Sequence, residues 1–222
     1  YVGRRVGTRE GTSLDAYGHA LTSTTGLQGN NVKARHDHLK WVIGRVMEVL
    51  HVTVEASGLF NDLIHDPRYW QQSKSDRQRQ GICPDFATPA GEGNRGTDRG
   101  TLFELKTFSM SSTGPGTGSR YKTKVSVRSS RHATNLRGRG IQSEYIRKAR
   151  KADQKWCGTP VGTQGPIEQR LLQYGPVFGL TVGGFGEVND NMDDLVSRCA
   201  SRAAESKWRL MGADNLAQAV QT

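Results

Sequence analysis

The chain has 222 residues, and 31 Lys and Arg against 21 Asp and Glu leave a formal net charge of +10. That length suits one domain of moderate size with a buried core, and a mean hydropathy of −0.64 is polar for a globular protein. No apolar run approaches the roughly 20 residues needed to span a bilayer, which excludes an integral membrane protein of the helical kind.

The N-terminal segment 1–31 is rich in Gly, Thr and Ser without apolar periodicity, so it reads as a flexible lead-in and not as a secretory signal. The first residue is Tyr1 rather than Met, as expected of a piece of a longer protein. Leu39, Val42, Ile43, Val46, Val49 and Leu50 then recur at helical spacing and predict one long amphipathic helix over 33–52. A short strand carried by Val52, Val54 and Leu59 follows, then helix or loop pieces over 62–79. Ile82-Cys83-Pro84-Asp85-Phe86-Ala87 is apolar except for its aspartate, and a Gly-rich loop over 88–100 leads to the β-rich run Thr101-Leu102-Phe103-Glu104-Leu105-Lys106-Thr107-Phe108. These two segments form a hairpin with a long connection. A Ser/Gly/Pro loop over 109–119 precedes a basic helix expected at 141–156. Val177-Phe178-Gly179-Leu180-Thr181-Val182 reads as a buried strand, and after Gly183-Gly184-Phe185-Gly186 a helix is expected over 191–210. The layout is α/β, with one domain over 32–212 and a tail over 213–222.

Charge is concentrated. Between Arg120 and Lys155 stand twelve basic residues and two acidic ones, Glu144 and Asp153, so this segment holds the whole positive excess of the chain. Such a distribution is the electrostatic footprint of a polyanion partner, DNA or RNA; a solvated basic face is the blander alternative. Cys83, Cys157 and Cys199 lack Cys-x-x-Cys or Cys-x-x-His spacing. They read as buried thiols of a reducing compartment, nuclear or cytoplasmic, rather than a disulfide framework or zinc site.

The most informative constellation is Pro84-Asp85 followed by Glu104-Leu105-Lys106. Alternate strand residues share a face, so Glu104 and Lys106 emerge side by side with Leu105 turned to the core. Pairing of the two segments brings Asp85 close to both. Adjacent carboxylates repel, and a hard divalent cation bound through oxygen relieves that repulsion. A neighbouring lysine can assist an attacking water or stabilise charge on a phosphate. The competing account is a surface cross-strand ladder with Asp85 capping a turn. Against it, Glu104 lies inside an apolar strand, where a charged pair needs a reason.

Pro-Asp, a variable loop and Glu-x-Lys on a strand resemble the PD-(D/E)XK restriction-endonuclease-like superfamily. The resemblance implies a restriction-endonuclease-like mixed central sheet flanked by helices, here with Gly-rich loops, built in the order helix, strand, hairpin, helix, strand. It implies metal held by Asp85 and Glu104, catalysis by Asp85, Glu104 and Lys106, and Mg²⁺ or Mn²⁺ as the cofactor. Some members add a carboxylate from the first helix; Glu48 is a candidate, although at 100° per residue it lies opposite the Leu39 stripe. His36 and Glu55 are further auxiliary options. Arg35-His36-Asp37, Glu144-Tyr145-x-x-Lys148-Ala149-Arg150, Phe178-Gly179-Leu180 and Phe185-Gly186-Glu187 also look like restriction-like domains of eukaryotic mobile-element polyproteins. That likeness implies a nicking or cutting domain joined to a reverse transcriptase or other domains, with dimerisation left open.

Tyr145, Lys148, Arg150 and Lys151 on the basic helix are candidates for gripping a phosphate backbone. Arg137-Gly138-Arg139-Gly140 reads as a mobile basic loop that orders on nucleic acid. The Gly114 to Ser119 run is not followed by Gly-Lys-Ser/Thr, so it is no P-loop. Gly183-Gly184-Phe185-Gly186, at a strand-to-helix turn, reads as a tight turn, the simpler account beside close approach to a phosphate, and Trp41, Trp70, Trp156 and Trp208 read as core or edge packing. The expectation is therefore a metal-dependent endonuclease acting on DNA. The alternatives are a non-catalytic nucleic-acid-binding module of the same fold and an interaction domain that docks on RNA.

Overall fold

A computed structural model describes residues 31–91, 99–107, 127–183, 186–208 and 210. The elements in chain order are α1 (Asn31–Val46), a 3₁₀ turn (Met47–Leu50), β1 (Thr53–Val54), α2 (Gly58–Asn61), α3 (Pro67–Trp70), α4 (Lys74–Gln80), β2 (Phe86–Thr88), β3 (Thr101–Thr107), α5 (Val127–Arg139), α6 (Ile141–Trp156), α7 (Pro166–Gln173), β4 (Val177–Val182) and α8 (Asp190–Lys207). The strands form one four-stranded mixed sheet in the order β1-β2-β3-β4. β1, β2 and β3 run antiparallel in succession, and β4 joins β3 in parallel. A parallel neighbour requires a crossover, and α5 through α7 supply it. No described helix is long and apolar enough to cross a membrane.

Strand alternation divides the core in two. Ala87, Leu102 and Val177 face a cluster containing Phe60, Tyr69, Ile141, Tyr145, Trp156 and Leu171. Phe86, Phe103, Leu105 and Leu180 face the other cluster, with Met47, Leu50, Met192, Leu195 and Cys199. The sheet is thus a middle layer between α6 with α7 on one side and α1 with α8 on the other. All three cysteines are free.

The expected helix over 33–52 is shorter. It ends at Val46, tightens into the 3₁₀ turn and stops at His51, whose φ of 53° is left-handed. Leu59 belongs to α2 instead of the first strand, because Glu55 at φ 54° turns the chain away after Val54. The first arm of the hairpin is narrower than expected: pairing starts at Phe86, opposite Phe103, leaving residues 82–85 outside the ladder. α6 and β4 have the expected bounds. The predicted lead-in except Asn31, the Ser/Gly/Pro loop and the whole predicted tail lie outside the described residues.

One expectation is overturned. Arg137, Gly138 and Arg139 are the last turn of a 13-residue helix, not a mobile loop. The glycine is there for contact. A Cβ on Gly138 would stand 2.6 Å from Asn189 Nδ2, and a Cβ on Gly179 would collide with Ile141 Cδ1 and stand 2.8 Å from the Gly138 Cα. Two facing glycines let α5 cross β4 at backbone distance. The free edge of β4 is capped by Asn189, whose Oδ1 accepts from the Thr181 N–H at 2.9 Å while its Nδ2 donates to the Gly179 carbonyl at 2.7 Å. Helix α7, which carries no expectation from sequence, is capped at long range: the buried Asp153 carboxylate accepts from the Ile167 and Glu168 N–H groups, each at 2.9 Å.

Gly179→Ala is expected to cost roughly 2 kcal/mol, because an overpacked contact against backbone has little room to relax. Gly58→Ala, whose added methyl meets nothing within 4 Å, is the control and leaves stability unchanged or slightly raised. Denaturant midpoints of the two variants against the parent chain decide the matter.

Candidate functional site

The sheet brings Asp85, Glu104 and Lys106 together at one end. Asp85 directly precedes β2, and the register that sets Phe86 opposite Phe103 carries it to the Glu104 level of β3. Its Oδ2 accepts a hydrogen bond from the Leu105 N–H at 2.9 Å, so the carboxylate is pinned to the β3 backbone. Glu104 and Lys106 project from the same face, as the two-residue strand period requires. Lys106 Nζ pairs with Glu104 Oε1. Leu105 is fully buried on the opposite side. Glu104 is only 7% exposed, in a strand whose first five residues are all buried.

Helix α6 completes the Glu104 environment. Tyr145 follows Ile141 and precedes Ala149 at four-residue steps on the buried stripe. Its hydroxyl donates to Glu104 Oε2 at 2.5 Å and lies 3.2 Å from the Cys83 carbonyl. Burial, reinforced by the Glu104 charge, pushes the phenol well above its ordinary range, so it stays a neutral donor. The expected contact of Tyr145 with a phosphate backbone does not fit this position, because the side chain is 1% exposed and its hydroxyl is committed inward.

Helix α1 closes the other side with His36 and Lys40, one turn apart. His36 Nε2 donates to the Leu105 carbonyl at 3.3 Å and stands 3.8 Å from Asp85 Oδ2. Lys40 Nζ lies between two carboxylates, 3.1 Å from Glu55 Oε1 and 3.5 Å from Asp85 Oδ1. Glu55 is anchored by its own N–H, which donates to the Asp85 carbonyl at 2.9 Å. Among the sequence candidates, His36 and Glu55 therefore border the acidic centre. Glu48 does not: it sits on the 3₁₀ turn, exposed, in an ion pair with Arg45 at 2.7 Å. Lys40 was not singled out from sequence; its only signal was a four-residue step from His36.

The electrostatics follow from burial and neighbours. Asp85 is held above the usual carboxylate range, first by burial and then by the Glu104 charge, against the opposing Leu105 N–H bond. Burial also works against the Lys40 ammonium, but Asp85 and Glu55 outweigh it and the net shift is upward. Glu55 is held below the usual range mainly by its hydrogen bond from Lys40. On α6, burial raises the Glu144 carboxyl, but the Arg137 bond together with the charges of Arg137, Lys106 and Lys148 outweighs it, so the net shift is downward.

The basic residues of α6 divide. Lys148 stands 5.0 Å from the Tyr145 ring centroid, beside the acidic centre. Lys151 is exposed one turn along the same flank. Arg150 points elsewhere, about 200° round the helix from Lys148, and is engaged by the buried Glu168 at 2.9 Å. Arg137 is tied to Glu144, while Arg139 is exposed at the end of α5.

Two neighbouring carboxylates, one of them held protonation-prone by burial and by the charge of the other, suit a divalent cation. Each retains acceptor capacity: Asp85 carries one short N–H bond, and Glu104 carries one lysine and one tyrosine partner of about four lone-pair positions. No cluster of three or more His, Cys, Asp or Glu among the described residues is arranged as a metal cage. The set fits an ion that keeps several waters, as Mg²⁺ does when bound through one or two carboxylates. Searches against family models, curated proteins and solved structures return no match to this chain.

Asp85→Asn is expected to raise the thermal midpoint near neutral pH. The folded carboxyl is held above its unfolded value, so its ionisation opposes folding once the pH passes that range. Asparagine keeps an oxygen for the Leu105 N–H and carries no charge. The gain shrinks as pH falls through the carboxylate range, where the aspartic acid is itself neutral; melting curves from acid to neutral pH test both the sign and the window.

Proposed function

We propose that this chain is a metal-dependent endonuclease of the restriction-endonuclease-like, PD-(D/E)XK type, hydrolysing DNA phosphodiester bonds. The observation that carries the reading is the convergence of Asp85, Glu104 and Lys106 at one end of the sheet, with Asp85 pinned to β3 through Leu105. The element order supports it: a helix, three antiparallel strands, a helical crossover and a parallel fourth strand.

Asp85 and Glu104 would hold Mg²⁺ or Mn²⁺ through carboxylate oxygens. Bound there, a divalent cation supplies Lewis-acid polarisation of a phosphoryl oxygen and a lower pKa for water. Lys106 stands on the same face with its ammonium on Glu104, and with a cation bound it would stabilise charge building on the phosphate. Tyr145 fixes the orientation of Glu104 by donating to Oε2. Lys148 and Lys151, on the flank of α6 nearest the centre, meet the backbone phosphates, with Arg139 contributing at the end of α5. The flanking motifs favour a nicking or cutting domain of a mobile-element polyprotein.

A second reading is a nucleic-acid-binding module that keeps the same arrangement without catalysis. It draws on the engagement of Glu104 by Lys106 and Tyr145, which is a complete structural network on its own. The two readings separate on supercoiled plasmid. The nuclease converts it to nicked or linear forms with Mg²⁺ or Mn²⁺ and not with EDTA. Asp85→Ala and Lys106→Ala each lose at least about 100-fold in rate, the scale of one positioned acid–base or electrostatic group, while plasmid binding persists. Cleavage retained in both variants refutes the assignment. Metal-independent binding without cutting, weakening with salt, leaves the binding module.

A further inference from the structure

Lys40, like its neighbours Glu55 and His36, stands at the acidic centre without a role in the proposed chemistry. Its ammonium bridges carboxylates from two different segments, Glu55 at the end of β1 and Asp85 before β2, at 3.1 and 3.5 Å. The Lys40 side chain is 16% exposed, and the bridge is sheltered on its Asp85 side and more open at Glu55. Glu55 is held on that side by Gln78 and Lys74, 3.4 and 3.5 Å from its Oε2, and by its backbone bond to Asp85. Glu55 and Asp85 thus form a second carboxylate pair, sharing Asp85 with the first.

Two shared carboxylate pairs are what a two-cation phosphodiesterase presents, with ions about 3.5–4 Å apart and one carboxylate between them. Here the second position is filled from within the chain. We infer that Lys40 replaces a second divalent cation beside Asp85, so that the acidic centre takes one divalent ion and not two. The inference rests on Asp85 and Glu104 being cation ligands. Charge supports it: Glu55, Asp85 and Glu104 are balanced by Lys40, Lys74 and Lys106, His36 set aside. One divalent ion makes that two positive charges, suited to a phosphate diester. Two ions would make four. The same geometry explains why Glu55, Asp85 and Glu104 do not gather as one three-carboxylate cluster: the ammonium lies between Glu55 and Asp85.

The test is Mn²⁺ binding to the full chain, counted by the loss of the free-ion paramagnetic resonance signal and by titration calorimetry, with no substrate present. The parent chain is expected to bind one Mn²⁺, and Lys40→Glu two. Lys40→Gln, a milder change, is expected to bind its ion at least about fivefold more tightly, because a neighbouring positive charge has gone. Two ions on the parent chain overturn the inference alone. So does a single ion on Lys40→Glu, and if that variant fails to fold, unchanged or weaker affinity in Lys40→Gln does the same. No Mn²⁺ on the parent chain overturns the assignment of Asp85 and Glu104 as ligands, and this inference with it.

Discussion

Two carboxylates share a largely buried end of the sheet, and their mutual repulsion governs what surrounds them. Asp85 and Glu104 each meet burial that disfavours charge, and the fold answers with donors rather than with solvent. The Leu105 N–H, Lys106 and the Tyr145 hydroxyl are aimed at these oxygens, with Lys40 and His36 close by. The compensation is incomplete for Asp85, whose carboxyl remains above its ordinary range. A sheet built for stability alone has no need of such a pair; strain of this kind is characteristic of functional sites.

The donors arrive from elements that must themselves be held close. Tyr145 reaches Glu104 because α6 lies against the sheet, and α6 starts immediately after α5 has crossed β4 at the Gly138–Gly179 contact. A larger side chain at either position would lift α5 and the start of α6 together. Asn189 plays a matching part at the open edge of β4, satisfying backbone groups that an edge strand otherwise exposes. Arg131 and Asn135 of α5 bond Asp190 at the start of α8, which ties the crossover to the last helix. The glycines and the asparagine contribute no chemistry, yet the acidic centre depends on the packing they permit.

Charge is arranged in two ways in this molecule. Around the sheet end it is local and balanced, with each carboxylate facing a partner at short range. On α5 and α6 it is more open: Arg139 and Lys151 are exposed, and Lys148 lies over the Tyr145 ring. The open charges are suited to screened, salt-sensitive attraction to a polyanion, whereas the sheltered ones set protonation and orientation. Arg150 shows that the two cannot be sorted by composition, since a buried glutamate on α7 takes up its guanidinium.

What the sequence determined by itself is what depends on short-range period. The bounds of α6 and β4, the shared face of Glu104 and Lys106 and the inward turn of Leu105 all follow from repeats of 3.6 or 2 residues. Asp85 joins them because a hairpin with a long connection still pairs its arms. Other features were decided by which distant elements become neighbours. Tyr145 reads from sequence as a phosphate-gripping candidate on the basic helix, and only the docking of α6 points its hydroxyl at Glu104, 41 residues earlier. Lys40 is an ordinary helix lysine until the turn after β1 sets Glu55 beside Asp85. Arg-Gly-Arg-Gly has the local composition of a flexible loop, yet it closes a helix, and glycine stands at 138 because β4 leaves no space for a side chain. Local periodicity is written in adjacent residues, but the space a residue must share is set by chain that lies far from it in sequence.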